Sequence, residues 1–168
     1  MDDAQRTADF TAYVLARQQA LARLAYLLTG DRDSAEDLLQ NALAKVYRHW
    51  ARVQASEQRD AYVRRILVNE SSSRWRSVLR RRETPGSHVL EVMEPPTAQG
   101  LDPAAAMDLW RQVQGLPTQQ RAAIVLRYYE DLTEAQTAEV LGCSVGTVKS
   151  HTSRAIAALR SRMSEVIA

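Results

Sequence analysis

Residues 131–160 contain two segments with helical apolar periodicity, and a single glycine separates them. In the first segment the apolar residues recur at helical spacing, at Ala135, Ala138 and Leu141. Thr133 precedes this segment and can cap it with its hydroxyl. Gly142 follows the segment, where it can take the left-handed conformation that ends a helix, and Ser144 can cap the next one. The pattern therefore predicts two helices joined by a tight turn.

The second segment separates apolar residues from hydrogen-bonding residues. Its apolar residues fall near one stripe of a helix: Val145, Val148, Ala155, Ile156 and Leu159. Polar donors lie largely outside that stripe, with no carboxylate among them: Thr147, Lys149, Ser150, His151 and Arg154. A helix that offers hydroxyls and cations from its first turns, braced by a short helix across a glycine turn, is typical of a helix-turn-helix for the major groove of DNA.

Charge favours DNA binding over the simpler alternative, which is a surface helical hairpin with a solvated polar face. Acids lie on the first segment and its approach: Glu130, Asp131, Glu134 and Glu139. Bases lie on the second segment: Lys149, Arg154, Arg160 and Arg162. We expect the polar donors to divide between base edges and phosphates, with Lys149 and Ser150 contacting bases because they lie in the first turns.

The composition favours an all-α protein. The chain has 168 residues, enough for one ordinary domain or two small ones, with only 6 glycines, 5 prolines and a single Phe. Cys143 is the one cysteine and the histidines are far apart, so we expect no disulfide, no metal site and no cofactor. The first residues are acidic and no apolar run follows them, so we expect a cytoplasmic protein without a membrane span.

The first eighty residues repeat apolar side chains at helical spacing and predict three helices. The first helix spans about residues 9–28 and ends before Gly30. Asp33 precedes Glu36 by three residues, the spacing of a capping box, so we expect the second helix to begin there. Its acidic start is also explained by the helix dipole alone. Its apolar stripe, predicted to be buried, includes Leu38, and the polar face beside it includes Asp37, Gln40 and Asn41.

A basic segment predicts the third helix, over about residues 60–82. Residues 59–82 contain eight arginines and two acids, a local balance of +6. Three consecutive serines at 71–73 are indifferent helix formers and indicate a contact surface or close packing. Arginines beside Asn69 and Trp75 favour a surface that binds phosphates and stacks on bases, and the simpler alternative is a solvated basic helix with a core tryptophan.

Residues 83–104 contain acids and prolines but no Lys or Arg. Prolines disfavour helix, and one-sided charge keeps a segment open. We therefore expect an acidic, proline-containing linker between two small helical domains, over residues 1–82 and 105–168. The linker either is attracted to a positive groove that normally carries nucleic acid or is a passive tether.

Three segments resemble bacterial sigma factors of the extracytoplasmic-function (ECF) group, the small two-domain members of the sigma-70 class. The sequence DSAEDLLQNALAKVYRHW from Asp33 resembles the helix that binds core RNA polymerase. The sequence AYVRRILVNESSSRWRSVLRRR from Ala61 resembles the segment that melts and recognises the minus-ten promoter element. The sequence LPTQQRAAIVLRYYEDLTEAQTAEVLGCSVGTVKSHTSRAIAALR from Leu116 resembles the domain for the minus-thirty-five element. The Trp75 neighbourhood and TVKSHTSRA are similar to an actinobacterial, SigE-like subgroup.

The resemblance implies a promoter-recognition subunit without catalytic activity, with core RNA polymerase, promoter DNA and an anti-sigma factor as its partners. It implies polymerase contacts at Asp37, Leu38, Gln40 and Asn41. It implies minus-ten contacts at Arg65, Asn69, Arg74, Trp75 and Arg76, and minus-thirty-five contacts at Thr147, Lys149, Ser150, His151 and Arg154. Asn41 stands where the family commonly has an acid, and His151 where it commonly has an arginine.

Two other classes of protein fit the sequence less well. TVKSH before an alanine- and leucine-rich helix also resembles response-regulator-type transcriptional regulators, but a receiver domain would show alternating strands and helices in the first eighty residues. A hydrolase acting on nucleic acid would need a nucleophile or a metal cluster. Cys143 lies in a turn without a suggestive base, and the adjacent acids Glu36 and Asp37 point about 100° apart on a helix.

Overall fold

The computed structural model describes the backbone of residues 2–78 and 100–167, and the side chains of residues 2–73 and 100–165. The chain divides into two compact units, residues 1–89 and 90–168. The described residues of both units form helices without a strand, so the expected all-α fold with two helical units is confirmed. Residues 79–99, with most of the expected linker, lie outside the described residues, and the domain boundaries at 82 and 105 stay predictions.

The first unit contains four described helices, α1 (Asp3–Thr29), α2 (Arg32–Arg48), α3 (Trp50–Val53) and α4 (Arg59–Val78). α1 begins earlier than expected because the Asp2 side chain caps it, and it ends at Gly30 in the left-handed conformation, φ 85°. The expected capping box at Asp33 is wrong. The Asp31 side chain caps α2 by accepting a hydrogen bond from the Ser34 amide at 2.8 Å, which places Asp33 in the first turn.

The core of the first unit lies between α1, α2 and α4. Its fully buried aliphatic side chains include Leu24, Leu27, Leu38, Val46, Val63 and Leu67. Each contributes about 1.5 to 3 kcal/mol through removal of its apolar surface from water. α3 adds the buried Trp50, whose ring centroid lies 5.2 Å from that of Phe10 and 5.0 Å from that of Tyr13.

The second unit contains α5 (Pro103–Gln114), α6 (Thr118–Ile124), α7 (Glu134–Leu141) and α8 (Val145–Ile167). α6 continues into a π-helical turn over Val125–Tyr129, which the sequence pattern did not indicate. α5 begins at Pro103 because Asp102 caps it and proline suits the first position of a helix. The buried cluster Val113, Leu116, Ile124, Ala155 and Leu159 packs α8 against α5 and α6. This packing fixes the second helix of the expected helix-turn-helix to a scaffold.

Two expected core positions of this unit are wrong. Val145 is 38% exposed, because it opens α8 directly after the turn, before the helix reaches its packing partners. Ala135 is also exposed, and α7 instead buries Thr137, Ala138 and Val140. The α7 stripe is therefore rotated relative to the one predicted from periodicity.

Candidate nucleic-acid and protein interfaces

Capping interactions define the start of α7, its end at the turn, and the start of α8. The Thr133 hydroxyl accepts from the Gln136 amide at 3.1 Å, and the Gln136 side chain accepts from the Thr133 amide at 2.9 Å. Gly142 has φ 67°, in the left-handed region that L residues rarely adopt. The Ser144 hydroxyl then accepts from the Thr147 amide at 3.1 Å. The predicted caps and glycine stop are confirmed, so α7 and α8 form a helix-turn-helix.

α8 buries one side and presents the predicted donors on the other. Val148 and Ala155 are fully buried and Leu159 is almost buried. The Thr147 hydroxyl lies 2.9 Å from that of Ser144, so it helps to close the turn. Among the five predicted minus-thirty-five contacts, Lys149, Ser150 and Arg154 are exposed, and Thr147 and His151 are half-buried. The structure therefore brings all five together on the first turns of one helix.

A carboxylate lies beside this donor set. The Glu134 carboxylate, at the first position of α7, lies 3.7 Å from the Lys149 ammonium. α7 and the turn lie between these residues in the sequence, so helical periodicity does not predict the pair. Lys149 therefore has an intramolecular partner in the DNA-free protein.

Arg162 fixes the far part of α8 to the end of α5. Its guanidinium donates to the Gln112 carbonyl at 3.2 Å and to the Gly115 carbonyl at 3.4 Å. These carbonyls belong to the C-terminal turn of α5, which leaves such groups without helical partners. Arg162 thus acts as a cap across two helices, and sequence reasoning assigned it only to the basic charge of α8.

α4 presents part of the predicted minus-ten set. Arg65 and Asn69 are exposed and stand four residues apart, so they share one side of the helix. Arg74, Trp75 and Arg76 lie on the described backbone of α4, and their side chains lie outside the described residues. Ser71 is buried and donates to the Val68 carbonyl at 2.7 Å, which favours close packing over surface contact for that serine.

α2 presents the polar part of the predicted polymerase face. Asp37, Gln40 and Asn41 are exposed on this helix. Leu38 is 0% exposed and belongs to the core of the first unit, so in the described conformation it lies behind this face rather than on it, and its polymerase contact stays a prediction. Its side chain holds α2 in the unit, and the polar residues beside it form the surface.

An ion pair connects α2 with α4. The Lys45 ammonium on α2 contacts the Glu70 carboxylate on α4, whose side chain is mostly buried. Lys45 follows Asn41 by one turn and Glu70 is adjacent to Asn69. The pair therefore fixes the two predicted contact helices relative to each other, and no local sequence signal indicated it.

Tyr13 connects α1 with the start of α4. Its hydroxyl donates to Asp60 at 3.0 Å, and Arg17 contacts the other Asp60 oxygen at 2.8 Å. The Arg59 guanidinium lies 5.1 Å from the centre of the Tyr13 ring. Burial, and then the charge and hydrogen bond of Asp60, raise the pKa of the Tyr13 phenol above its ordinary value. The phenol therefore stays neutral and donates.

The described residues hold no group of three or more His, Cys, Asp and Glu placed to bind a metal ion. None of the described helices combines the length and apolar character needed to cross a bilayer. Burial raises the pKa of the Cys143 thiol, which keeps it protonated and a poor nucleophile.

These two helical units, with a capped helix-turn-helix that presents hydroxyls and cations, define a helical DNA-binding protein. The Sigma-70 region 2 model matches residues 13–82, and the Sigma-70, region 4 model matches residues 106–159. The RNA polymerase sigma-E factor of Streptomyces coelicolor is 39% identical over 156 residues, which cover 92% of this chain and 86% of that protein. The ECF RNA polymerase sigma factor SigM of Mycobacterium tuberculosis is 32% identical over 139 residues, covering 83% of this chain and 69% of that protein. The chain belongs to the sigma-70 family, as a member of its ECF group.

Solved structures share this fold. The sigma factor RpoE from Bartonella quintana, solved in complex with the anti-sigma factor NepR, has a TM-score of 0.67 and 29% identity, and the match covers 93% of this chain and 97% of that one. CnrH, solved with the cytosolic domain of CnrY, shares the fold with a TM-score of 0.62 and 23% identity, over 93% of this chain and 88% of that one. The family expected from the sequence is confirmed, and the described residues 2–78 form helices where a receiver domain would have strands.

Proposed function

We propose that this sigma factor binds core RNA polymerase and directs it to promoters that carry two separate recognition elements. The observation that carries the proposal is that one chain contains matches to sigma regions 2 and 4 and presents polar surfaces on the helices that the resemblance assigns to contact. A dimeric regulator would instead bind two half-sites with two copies of one recognition helix.

Each proposed contact has its own physical support. α8 offers ammonium, guanidinium, hydroxyl and imidazole groups to the major groove, and its packing on α5 and α6 holds them in place. On α4, Asn69 can hydrogen-bond an unpaired base edge while Arg65 on the same side attracts phosphate. On α2, Asp37, Gln40 and Asn41 form the surface for polymerase. Arg74, Trp75 and Arg76 complete the minus-ten set by resemblance.

The remaining roles follow from the family. Nucleotidyl transfer belongs to the polymerase, so the sigma factor needs no catalytic group of its own. It acts on chromosomal DNA in the cytoplasm. The similar Bartonella quintana protein was solved with an anti-sigma factor. We therefore also expect a regulator of that class for this chain.

Start-site mapping tests the proposal. The purified chain is mixed with core polymerase and fragmented genomic DNA, and the transcripts are sequenced from their starts. The proposed function predicts starts that require the chain and that align on two common upstream elements. Transcription that is unchanged by the chain, or starts that share no upstream sequence, would overturn it.

A further inference from the structure

Glu134 and Lys149 form an ion pair beside the proposed reading surface of α8. The Glu134 carboxylate oxygen Oε2 lies 3.7 Å from Lys149 Nζ, with side chains 39% and 65% exposed. Thr133 caps α7 and fixes Glu134 at its first position. The Gly142 turn then brings α8 back beside the start of α7. The carboxylate is therefore held next to the ammonium by the same caps that shape the helix-turn-helix.

Folding alone does not require this pair. Exposed ion pairs contribute little to stability, because water screens the attraction and two long side chains lose freedom. A carboxylate in the first turn of α7 is already favourable to the helix dipole without any partner on α8. Glu134 is, however, a negative charge at a surface proposed to meet DNA phosphates. Its position therefore affects DNA binding more directly than it affects folding.

The Glu134 carboxylate affects phosphate contacts and base contacts of Lys149 differently. A phosphate that approaches Lys149 competes with Glu134 for one ammonium and is repelled by the same carboxylate. A guanine edge in the major groove offers two neutral acceptors, and an ammonium has three donors, so it can contact guanine and keep Glu134. Glu134 therefore opposes phosphate contacts while it leaves a base contact in place.

We propose that Glu134 is a specificity-determining residue. It weakens the binding of Lys149 to phosphates and so increases the difference in affinity between the cognate element and other DNA. This inference rests on the proposed function, because it requires α8 to be the helix that contacts the upstream element. It goes further in assigning a role to a carboxylate that the resemblance places outside the contact set.

The test compares two carboxylate substitutions on α7. Glu134→Gln removes the charge beside Lys149, and Glu139→Gln removes the charge of an exposed residue on the same helix. The full-length variants are titrated against two duplexes. One contains the upstream element found by aligning the mapped transcription start sites, and the other contains the same element with its sequence scrambled. Fluorescence anisotropy is measured across a salt series, and circular dichroism melts verify folding.

Glu134→Gln should tighten binding of the scrambled duplex by up to about fivefold and change the cognate duplex by less than about twofold. The salt slope on the scrambled duplex should steepen by about one unit, as expected for one added phosphate contact. Glu139→Gln should change both duplexes alike and by less. In a Lys149→Ala background the effect of Glu134→Gln should fall to that of Glu139→Gln, because only the general charge effect remains.

Equal tightening of both duplexes by Glu134→Gln, or the same effect from Glu139→Gln, would overturn the inference. So would an effect of Glu134→Gln that, in the Lys149→Ala background, still exceeds that of Glu139→Gln. If Lys149→Ala weakens cognate binding while Glu134→Gln has no effect, only the role of Glu134 is refuted. If Lys149→Ala and Arg154→Ala also leave binding of the cognate duplex unchanged, the assignment of α8 fails as well, and the two failures are distinguished.

Discussion

Lys149→Ala tests the proposed DNA contact of α8, because the substitution should change DNA binding without changing the fold. The Lys149 side chain is 65% exposed and contacts Glu134 at 3.7 Å on the protein surface. Losing such a pair costs less than about 1 kcal/mol, and the higher helix propensity of alanine offsets a few tenths of that. The free energy of unfolding should therefore change by less than about 0.5 kcal/mol.

Binding should change much more than folding. A base contact from Lys149 would be lost at a cost of about 1 to 3 kcal/mol, which corresponds to about 5- to 150-fold weaker binding of the cognate upstream element. Scrambled DNA should lose less. A pure phosphate contact would instead weaken both duplexes alike and reduce the salt slope by about one unit.

Arg160→Ala is the matched control. Arg160 is an exposed cation of the same helix, but it lies eleven residues farther along, or about 16 Å at the rise of an α-helix. Anisotropy titrations of both variants across salt separate base reading from general charge. If Lys149→Ala and Arg154→Ala both bind the cognate duplex like the wild type at every salt concentration, α8 is not the reading helix and the reasoning is refuted.

Asp37→Arg should weaken the complex with core polymerase by at least about tenfold while helicity is retained. The control variant Glu57→Arg, in the exposed loop before α4, should bind like the wild type. Wild-type affinity of Asp37→Arg in a pull-down titration would remove Asp37 from the contact. Asn69→Ala should lower the permanganate reactivity of thymines in the minus-ten region, because a base contact worth about 1 to 3 kcal/mol is lost, and unchanged reactivity would exclude Asn69. Tyr13→Phe should cost about 1 kcal/mol at neutral pH by removing the hydrogen bond to Asp60. Because the pKa of Tyr13 is raised in the folded state, the wild type should lose stability as the pH rises above about 10, where the unfolded phenol ionises, and the variant should lose less. Denaturant titrations with parallel pH dependence would contradict that assignment.

Local signals predicted the helix-turn-helix well, because each acts within a few residues. Every helix end leaves backbone groups without partners, and the hydroxyls of Thr133 and Ser144 accept hydrogen bonds from such amides. Gly142 takes the left-handed conformation that ends α7. These three local signals therefore predict the bounds of the turn. A capping acid marks a helix start less clearly when two acids lie close together. Asp31 and Asp33 can each cap α2, and in the structure Asp31 caps it.

Long-range contacts were not predictable from the sequence pattern. Lys45 and Glu70 are 25 residues apart, and Arg162 donates to the carbonyl of Gln112, 50 residues before it, so no periodicity marks either contact. Burial also separates residues that the family resemblance groups together. Leu38 stands among the polar residues of α2 in sequence, but the apolar periodicity of the helix predicts it in the buried stripe, and the structure places it in the core. Patterns along the chain therefore predict the elements, and tertiary packing decides which residues remain available for contact.

Single-round transcription from a mapped promoter tests the central claim most directly. Purified core polymerase is given a linear template with one such promoter, with and without the chain. A second template has about 5 base pairs, or about half a helical turn, inserted between the two elements. The account predicts a transcript of defined start that requires the chain and is lost on the second template, because one polymerase-bound sigma factor must contact both elements. The same transcript without the chain, or undiminished transcription from the second template, would contradict it.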